Sequence, residues 1–255
     1  MAAERYDTIG VNYGKVRVPD ARVAALLEQA LGDAVSVVNV GAGAGSYESP
    51  GRRVVGVEPS SEMIRQRRPQ SAPCVVGRAE ALPFADASVD ACTAIWTVHH
   101  WSDLERGLRE MRRVARGRVV VLSYLPGAIA PSDRWLTSVY FPYIGRIDET
   151  LFPRLEGYEA VLGACRVVPV LIPADCRDGF LDAHWARPEA YLDADVRAGM
   201  SGFRLMPESE RTEGLERLEA DLQSGAWDQR FGHLRRQPTF DAGVRIVIGG
   251  VAGGL

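Results

Sequence analysis

The chain has 255 residues, a formal net charge of −3, 46% hydrophobic residues and 25% charged residues. These values are typical of one folded domain, or of one domain that carries an insertion. The slightly acidic balance lacks the basic surface of nucleic-acid-binding proteins, so we expect no nucleic-acid partner. No signal-peptide pattern and no membrane-spanning apolar run is found, which predicts a cytoplasmic protein without a membrane partner.

The first predicted element is a helix that begins after Asp20. Asp20 is a good N-cap residue, apolar residues recur at helical spacing from Val23 to Leu31, and Gly32 follows. Glycine is common just after a helix, because it adopts the left-handed backbone without cost. The pattern predicts an amphipathic helix that packs on a sheet.

The chain is organised around a glycine-rich turn between two apolar segments. Residues 37–40 read Val-Val-Asn-Val, and Gly41, Gly43 and Gly45 follow at alternate positions. A second apolar segment ends at Glu58. An acid at the tip of a strand after such a turn typically accepts hydrogen bonds from a ribose diol, so the pattern predicts a nucleoside-bearing cofactor.

The spacing of the glycines helps to decide which cofactor. A dinucleotide fingerprint needs a third glycine three residues after the second. Ser46 or Glu48 stands at that place, depending on the glycine from which one counts. NAD is therefore disfavoured.

Strand and helix signals continue to alternate after Glu58. Residues 75–77 form a short strand pattern, and residues 78–84 read Arg-Ala-Glu-Ala-Leu-Pro-Phe. A strand over 91–98 follows, and it ends in Thr97-Val98-His99-His100-Trp101. The alternation predicts a doubly wound sheet.

The next helix has a capping-box pattern. Ser102 and Glu105 have the spacing of such a box, and apolar residues follow to Ala115. Gly117 is predicted to end the helix, and residues 118–124 form the fifth strand pattern.

Together these motifs resemble those of class I S-adenosylmethionine (SAM) dependent methyltransferases. The resemblance covers residues 6–124 and rests on the glycine turn, Glu58, Leu82-Pro83-Phe84 and the histidine-rich strand end. It implies an α/β fold, a Rossmann-like, doubly wound, mostly parallel seven-stranded sheet with a final antiparallel strand and an inserted α-helical cap. It also implies SAM as cofactor, S-adenosylhomocysteine as product, and these cofactor-binding residues: Tyr13, Arg17, Asn39, Gly41, Ala42, Gly43, Gly45, Glu58, Pro59, Met63, Ala79, Glu80, Thr97 and Trp101.

The resemblance also assigns roles to single positions. An N-terminal lid over residues 1–19 would place Tyr13 and Arg17 over the methionine end of SAM, and Met63 would pack on the adenine. Trp101 stacks on the adenine, lines the acceptor pocket or belongs to the core.

Two positions depart from the family pattern. Arg78 stands where an acid usually holds the adenine amine, so either Glu80 compensates or the backbone acts alone. Asn39 also replaces a common acid and supplies no charge.

His99 and His100 are the candidate catalytic residues, because an imidazole titrates near neutrality and can act as a base. We favour His100 as the base or the substrate-orienting group, and the alternative is that both rings are structural. Side chains alternate along a strand, so only one ring is expected to face the pocket, and a metal site is not expected. Asp175, Asp178 and His184 are a second possible acid/base set.

The second half of the chain is less regular. We predict helices over 153–164 and 209–222 and strands over 167–171 and 243–248. Pro169 favours an edge position for its strand. Trp135, Tyr140 and Trp185 belong to the regions that should form the pocket, but each of these side chains is expected to serve packing rather than recognition. The four cysteines form no C-x-x-C pair, which predicts free thiols.

The sequence therefore predicts one SAM-dependent methyltransferase domain over residues 1–255, with a core at 20–124 and cap insertions at about 126–150 and 172–240. The expected substrate is a mostly apolar small molecule of secondary metabolism, and the expected state is a monomer or homodimer. Three alternatives stay open: a SAM-binding enzyme with a non-methylating reaction, an NAD-type oxidoreductase, and a non-catalytic SAM-binding protein.

Overall fold

A computed structural model describes residues 17–250. Its main sheet has seven strands in the order β3-β2-β1-β4-β5-β9-β6. The strand bounds are β1 Ser36–Val40, β2 Arg53–Glu58, β3 Cys74–Val76, β4 Val89–Ile95, β5 Ala115–Tyr124, β6 Arg166–Pro169 and β9 Val244–Gly249, and β7 Ile172–Pro173 pairs with β8 Thr239–Phe240 in a separate small sheet. Strands β1 to β5 are parallel, whereas β9 is antiparallel to both β5 and β6. The predicted fold class is confirmed.

Nine α-helices surround these strands in the described residues. Their bounds are α1 Ala21–Leu31, α2 Ser61–Arg65, α3 Leu104–Val114, α4 Pro142–Leu151, α5 Leu155–Leu162, α6 Ala194–Ala198, α7 Ser201–Leu205, α8 Glu208–Ser224 and α9 Ala226–Phe231. Asp20 caps α1 as predicted, since its carboxylate accepts from the backbone N–H of Arg22. The helices predicted over 153–164 and 209–222 correspond to α5 and α8.

The sheet separates two hydrophobic clusters. One face packs on α3 and α5, through residues such as Leu108, Met111 and Tyr158. The other face packs on α1 and on the two segments that follow β5 and β6, and their aromatic side chains continue the same core. Strands β1 and β4 are covered on both faces, which explains their apolar runs.

The boundary between α3 and β5 differs from the prediction. Helix α3 ends at Val114 and β5 begins at Ala115, so Gly117 lies inside the strand. A Cβ at Gly117 would lie 2.8 Å from the carbonyl oxygen of Asp90 on β4. The glycine therefore permits a close approach of two strands and does not end the helix.

The capping-box prediction is wrong. The N-cap of α3 is Asp103, whose carboxylate accepts from the backbone N–H of Arg106 at 2.9 Å. Ser102 instead donates from its backbone N–H and its hydroxyl to Glu80 Oε1, both at 2.8 Å. A partner distant in the chain wins over the local pairing that sequence spacing favours.

The segment after β4 also differs. The strand ends at Ile95, Trp96 adopts a left-handed conformation with φ 54°, and Val98–His100 form a 3₁₀ turn. The two histidines are therefore not on a strand, and the expected alternation between faces does not apply to them.

Two insertions follow the five parallel strands. The first follows β5 and contains a 3₁₀ turn, a π-helical turn and α4. The second connects β6 to β9 and contains α6 to α9 and the small sheet. Strand β6, which ends at Pro169, is the edge strand of the main sheet, as the proline predicts.

Within residues 17–250, no helix is long and apolar enough to span a membrane, and no group of three acidic, histidine or cysteine side chains could hold a metal ion. The four cysteines have free thiols.

Candidate active site

A cleft lies where β1, β2 and β4 end, at their carboxyl edge. Its empty volume is about 940 Å³, including the space at its mouth. Most of the predicted cofactor-binding residues line it: Arg17, Asn39, Gly41, Ala42, Gly43, Glu58, Pro59, Met63, Ala79, Glu80, Thr97 and Trp101. His100 lines it as well, whereas Tyr13 lies outside the described residues. In open α/β sheets ligands bind at this edge, so the cleft is the candidate cofactor site.

The glycine turn is held against the end of β2. The backbone N–H groups of Gly41 and Ala42 both donate to the carbonyl oxygen of Val57, at 2.8 and 3.0 Å. Gly41 has φ 69°, and a Cβ there would lie 2.0 Å from the hydroxyl oxygen of Thr97. Only glycine therefore allows the turn to pass so close to the segment after β4.

Gly43 also lines the cleft. It has φ 50°, and a Cβ would point at the Cε of Met63 from 3.3 Å. Because glycine has no Cβ, this space between the backbone of the turn and the Met63 side chain stays open. A ligand can therefore approach the turn closely.

Glu58 is a buried acidic residue of the cleft. Its side chain is buried, and each carboxylate oxygen accepts one backbone N–H, from Gly43 at 2.9 Å and from Ser60 at 3.0 Å. A carboxylate at the tip of the second strand is the group that typically accepts hydrogen bonds from a ribose diol. The residue thus fits the role that its position predicts.

Asn39 lies on the floor of the cleft. It is buried, and its side-chain oxygen accepts from the Thr93 hydroxyl at 3.2 Å. Its side-chain amide group remains as a donor, so it can orient a polar ligand without carrying charge.

The cleft lining includes the residues predicted to contact the adenine, Met63, Ala79, Glu80 and Trp101. Glu80 Oε1 is engaged by Ser102 and by the backbone N–H of Asp103, so Glu80 also anchors the start of α3. A Cβ at Gly107 would lie 2.5 Å from the Trp101 ring. The helix therefore needs glycine at that position to seat the indole.

Gly45 lies apart from the other two glycines. It is not among the residues that line the cleft, and a Cβ there would meet the hydroxyl of Ser71 at 2.9 Å. Its φ of 91° shapes the return of the chain toward β2.

Sequence reasoning missed Arg67, whose side chain is bound to the backbone of the glycine turn. Arg67 donates to the carbonyl of Gly43 at 3.0 Å and to the carboxylate of Glu48 at 2.6 Å, and both side chains are buried. Neither residue belongs to a motif, because the pairing joins two loops that are distant in sequence.

A second cavity adjoins the cleft, with an empty volume of about 620 Å³. Arg17, Trp96 and His100 line both spaces. The remaining lining comes from the turn after β4, from β5 and from both insertions, and includes His99, Tyr124, Arg134, Asp148, Phe152, Phe180, Leu181, Asp182 and Met200.

The two histidines differ in their surroundings. The His99 ring lies 3.8 Å from the His100 ring and 4.2 Å from Phe152, and its Nδ1 is buried without a hydrogen-bond partner. Burial lowers the pKa of His99 well below 6.5, and the charges of His100 and Arg17 lower it further. His99 is therefore uncharged at neutral pH.

A buried ion cluster forms one wall of the second cavity. Arg134 binds the carboxylates of Asp148 at 2.9 Å and of Asp182 at 3.0 Å, and its guanidinium lies 4.3 Å from the centre of the Tyr124 ring. Burial raises the pKa of Asp148 to about 6, although Arg134 opposes this shift. No sequence motif signals the cluster.

A buried carboxylate joins three parts of the chain. Asp178, from the second insertion, accepts from Arg17 at 2.6 Å and from the hydroxyl of Tyr47 at 2.9 Å. The Tyr47 hydroxyl in turn accepts from the backbone N–H of Asp20 at 3.2 Å. Burial and the Asp178 charge raise the pKa of Tyr47, which keeps its hydroxyl protonated as a donor.

The other predicted members of the pocket lie elsewhere. Asp175 is exposed and pairs with Arg22, and His184 is not among the residues that line either space. Asp175, Asp178 and His184 thus have different surroundings. Trp135, Tyr140 and Trp185 are buried in the core, which is the packing role expected for each of them.

Comparison with known proteins identifies the family. A family model described as a methyltransferase domain matches residues 38–122. The crystal structure of a putative methyltransferase from an antibiotic biosynthesis pathway of Anabaena variabilis superposes with a TM-score of 0.82. It is 34% identical, over 92% of this chain and 98% of that chain.

Two curated relatives match a shorter region. A demethylmenaquinone methyltransferase from Thermotoga maritima is 32% identical over 49% of this chain, and a malonyl-[acyl-carrier protein] O-methyltransferase from Erwinia pyrifoliae is 37% identical over 57%. The chain covers 58% and 63% of the lengths of these two relatives.

The chain belongs to the class I SAM-dependent methyltransferases, enzymes whose cofactor is SAM. This confirms the resemblance inferred from the motifs.

Proposed function

We propose that the protein transfers a methyl group from SAM to a small molecule held in the second cavity. The observation that carries this proposal is the shared wall of the two spaces: Arg17, Trp96 and His100 line both the cleft and the second cavity. A donor bound in the first space and an acceptor bound in the second would meet at these residues.

The cleft residues would hold the cofactor by complementary contacts. Glu58 would accept from the ribose, Asn39 and the backbone of the turn would contact the methionine part, and Met63, Ala79 and Trp101 would surround the adenine. When bound, SAM supplies a methyl group that is already activated on a sulfonium.

The chain then has to align the acceptor and keep out water. Alignment of two reactants can contribute ~7–11 kcal/mol to the lowering of a barrier. The aromatic wall of the second cavity and the second insertion would provide this alignment. His100, at the junction, would take a proton from an acceptor that must lose one, while uncharged His99 stays beside it.

Natural-product tailoring is the context that we propose for this reaction. The similar protein from Anabaena variabilis, a putative methyltransferase from an antibiotic biosynthesis pathway, supports this choice. The two curated relatives are a demethylmenaquinone methyltransferase and a malonyl-[acyl-carrier protein] O-methyltransferase, so the acceptor class differs among relatives.

The test uses purified protein, SAM with an isotopically labelled methyl group, and a fractionated small-molecule extract. We expect a labelled small-molecule product together with S-adenosylhomocysteine, and no label in reactions with the Glu58→Ala variant. Transfer of the label only to protein or nucleic acid would overturn the proposal. Conversion of extract components without any label in the products would instead assign a non-methylating reaction.

A further inference from the structure

We infer that the second cavity binds a flat aromatic acceptor that carries a hydroxyl group. This inference rests on the proposed function, because it names the class of molecule that the cavity takes. It follows from two properties of the lining: the geometry of its rings and the chemistry of its unpartnered polar atoms.

The rings of the lining form two groups. Trp96 and Phe180 stack with centroids 4.9 Å apart at an interplanar angle of 26°. His99 and Phe152 lie 4.2 Å apart at 31°, and Tyr124 meets Phe152 edge-on at 5.5 Å. Aromatic rings gain specific stacking and edge contacts with another ring, beyond the burial of area. A planar ring therefore matches this lining better than a flexible chain of the same apolar area.

The polar atoms indicate the functional group. Trp96 Nε1, Arg134 Nε and His99 Nδ1 are buried without a hydrogen-bond partner, and all three residues line the cavity. Leaving buried polar groups unpaired is costly, and a ligand that supplies partners recovers that cost. The first two are N–H donors, so the missing partner is an oxygen that accepts.

The charges of the lining exclude other groups. A protonated amine would have to compete with Arg134 for the carboxylates of Asp148 and Asp182, because Arg134 is already bound to both. A carboxylate ligand would in turn meet those two carboxylates. A neutral hydroxyl avoids both conflicts, because it accepts from an N–H donor and can donate to the uncharged ring of His99.

The chain offers matched controls for two of the three atoms. Trp227 Nε1 and His184 Nδ1 are also buried without a partner, but neither residue lines the cleft or the second cavity. Substitution at these positions removes the same kind of atom from the core alone.

The experiment is calorimetry at pH 7 on the full chain saturated with S-adenosylhomocysteine. The probes are 2-naphthol, naphthalene, decahydro-2-naphthol and 2-naphthylmethylamine, which separate the hydroxyl, the flat ring and the positive charge. We expect 2-naphthol to bind tightest, with each other probe weaker by about tenfold or more. Equal binding of naphthalene would show that the site does not recognise a hydroxyl. Equal binding of decahydro-2-naphthol would show that it does not require a flat ring. Tighter binding of 2-naphthylmethylamine would overturn the choice of a neutral group.

Variants then locate the site. Trp96→Phe and His99→Phe should each reduce the preference for 2-naphthol over naphthalene by about tenfold, while Trp227→Phe and His184→Phe leave it unchanged. If the cavity variants keep the full preference, the probes bind elsewhere and the inference fails.

The affinity for S-adenosylhomocysteine checks the fold of every variant and separates the two proposals. Wild-type protein that binds this compound but not 2-naphthol would refute the acceptor class and leave the proposed function intact. Wild-type protein that does not bind it would refute the proposed function.

Discussion

The cofactor cleft and the second cavity are built in different ways, although they share three residues. The cleft is formed by loops at the ends of neighbouring parallel strands, and its key contacts are backbone groups and short-range bonds such as Glu58 to Gly43. The second cavity is formed by side chains from β5, from the turn after β4 and from both insertions.

Because of this difference, we expect the two sites to respond differently to amino-acid substitutions. A cleft of backbone groups depends on the sheet and tolerates few changes at its glycines. A cavity of side chains on insertions can change its chemistry while the sheet stays the same, because loops on a rigid scaffold determine specificity. We therefore expect mutations to separate cofactor binding from acceptor binding.

The largest effect is expected in the glycine turn. Gly41→Ala should abolish detectable SAM binding and destabilise the protein by ~2–5 kcal/mol, because the Cβ would clash with Thr97 in a left-handed conformation. Gly225→Ala is the matched control, with φ 77° and no atom within 4 Å of its Cβ. It should cost only ~1 kcal/mol and leave SAM binding unchanged. Equal effects in calorimetry and urea unfolding would show that strain alone, and not the fit of the turn, explains the loss.

A comparable effect on stability is expected where the two regions join. Asp178→Ala should lower the free energy of unfolding by ~3–5 kcal/mol, since it removes a buried carboxylate from Arg17 and Tyr47. Urea unfolding measures the change. Asp175→Ala is the control, because its pair with Arg22 is exposed, and it should give no resolvable change. Similar values for both variants would contradict the proposed connection between the insertion and the turn.

Catalysis is expected to depend on His100, which lines both the cleft and the second cavity. His100→Ala should lower kcat by ~10²-fold or more and spare SAM affinity, because general-base catalysis contributes about 10²–10⁴-fold. His100→Gln keeps a polar side chain that cannot take the proton, so it should be equally slow. Turnover is measured with the acceptor identified by methyl labelling. Full activity of either variant would remove His100 as the base.

Glu58→Gln tests the cleft without the second cavity. The neutral amide keeps the size of the side chain but loses a charged acceptor, which should weaken SAM binding by about 10–100-fold. Calorimetry with SAM measures this, and 2-naphthol binding to the variant saturated with S-adenosylhomocysteine should not change. A parallel loss of both affinities would mean that the two sites are coupled.

The smallest effect is the pH dependence from His99. Its pKa in the folded protein lies well below 6.5, so below pH 6.5 the unfolded chain binds a proton that the folded chain does not. Stability is therefore complete above pH 6.5 and falls as the pH drops below that value. His99→Phe should remove this part of the loss between pH 7 and pH 5 in urea unfolding. His184, whose pKa burial lowers to about 4, contributes with the same sign and is removed separately by His184→Phe. An unchanged pH slope in His99→Phe would contradict the burial of its ring.

The parallel core and most of the cleft could be predicted from the amino-acid sequence. Strand β1, the glycines and Glu58 lie within one short stretch, so their contacts are local and their spacing carries the geometry. The same holds for the Asp20 cap and for Pro169 at the sheet edge. In each case the residue satisfies a constraint of its own backbone or of its nearest neighbours.

The second cavity and the details of its junction depend on contacts between segments that are distant in the chain. The Ser102 box failed because Glu80 accepts from the Ser102 backbone N–H, the donor that Glu105 would have satisfied. The two histidine rings meet because β4 ends at Ile95, Trp96 adopts a left-handed conformation and Val98–His100 form a 3₁₀ turn. Arg134, Asp148 and Asp182 meet only when both insertions fold together, and no local pattern encodes that meeting, because its free energy comes from burial and charge pairing between segments.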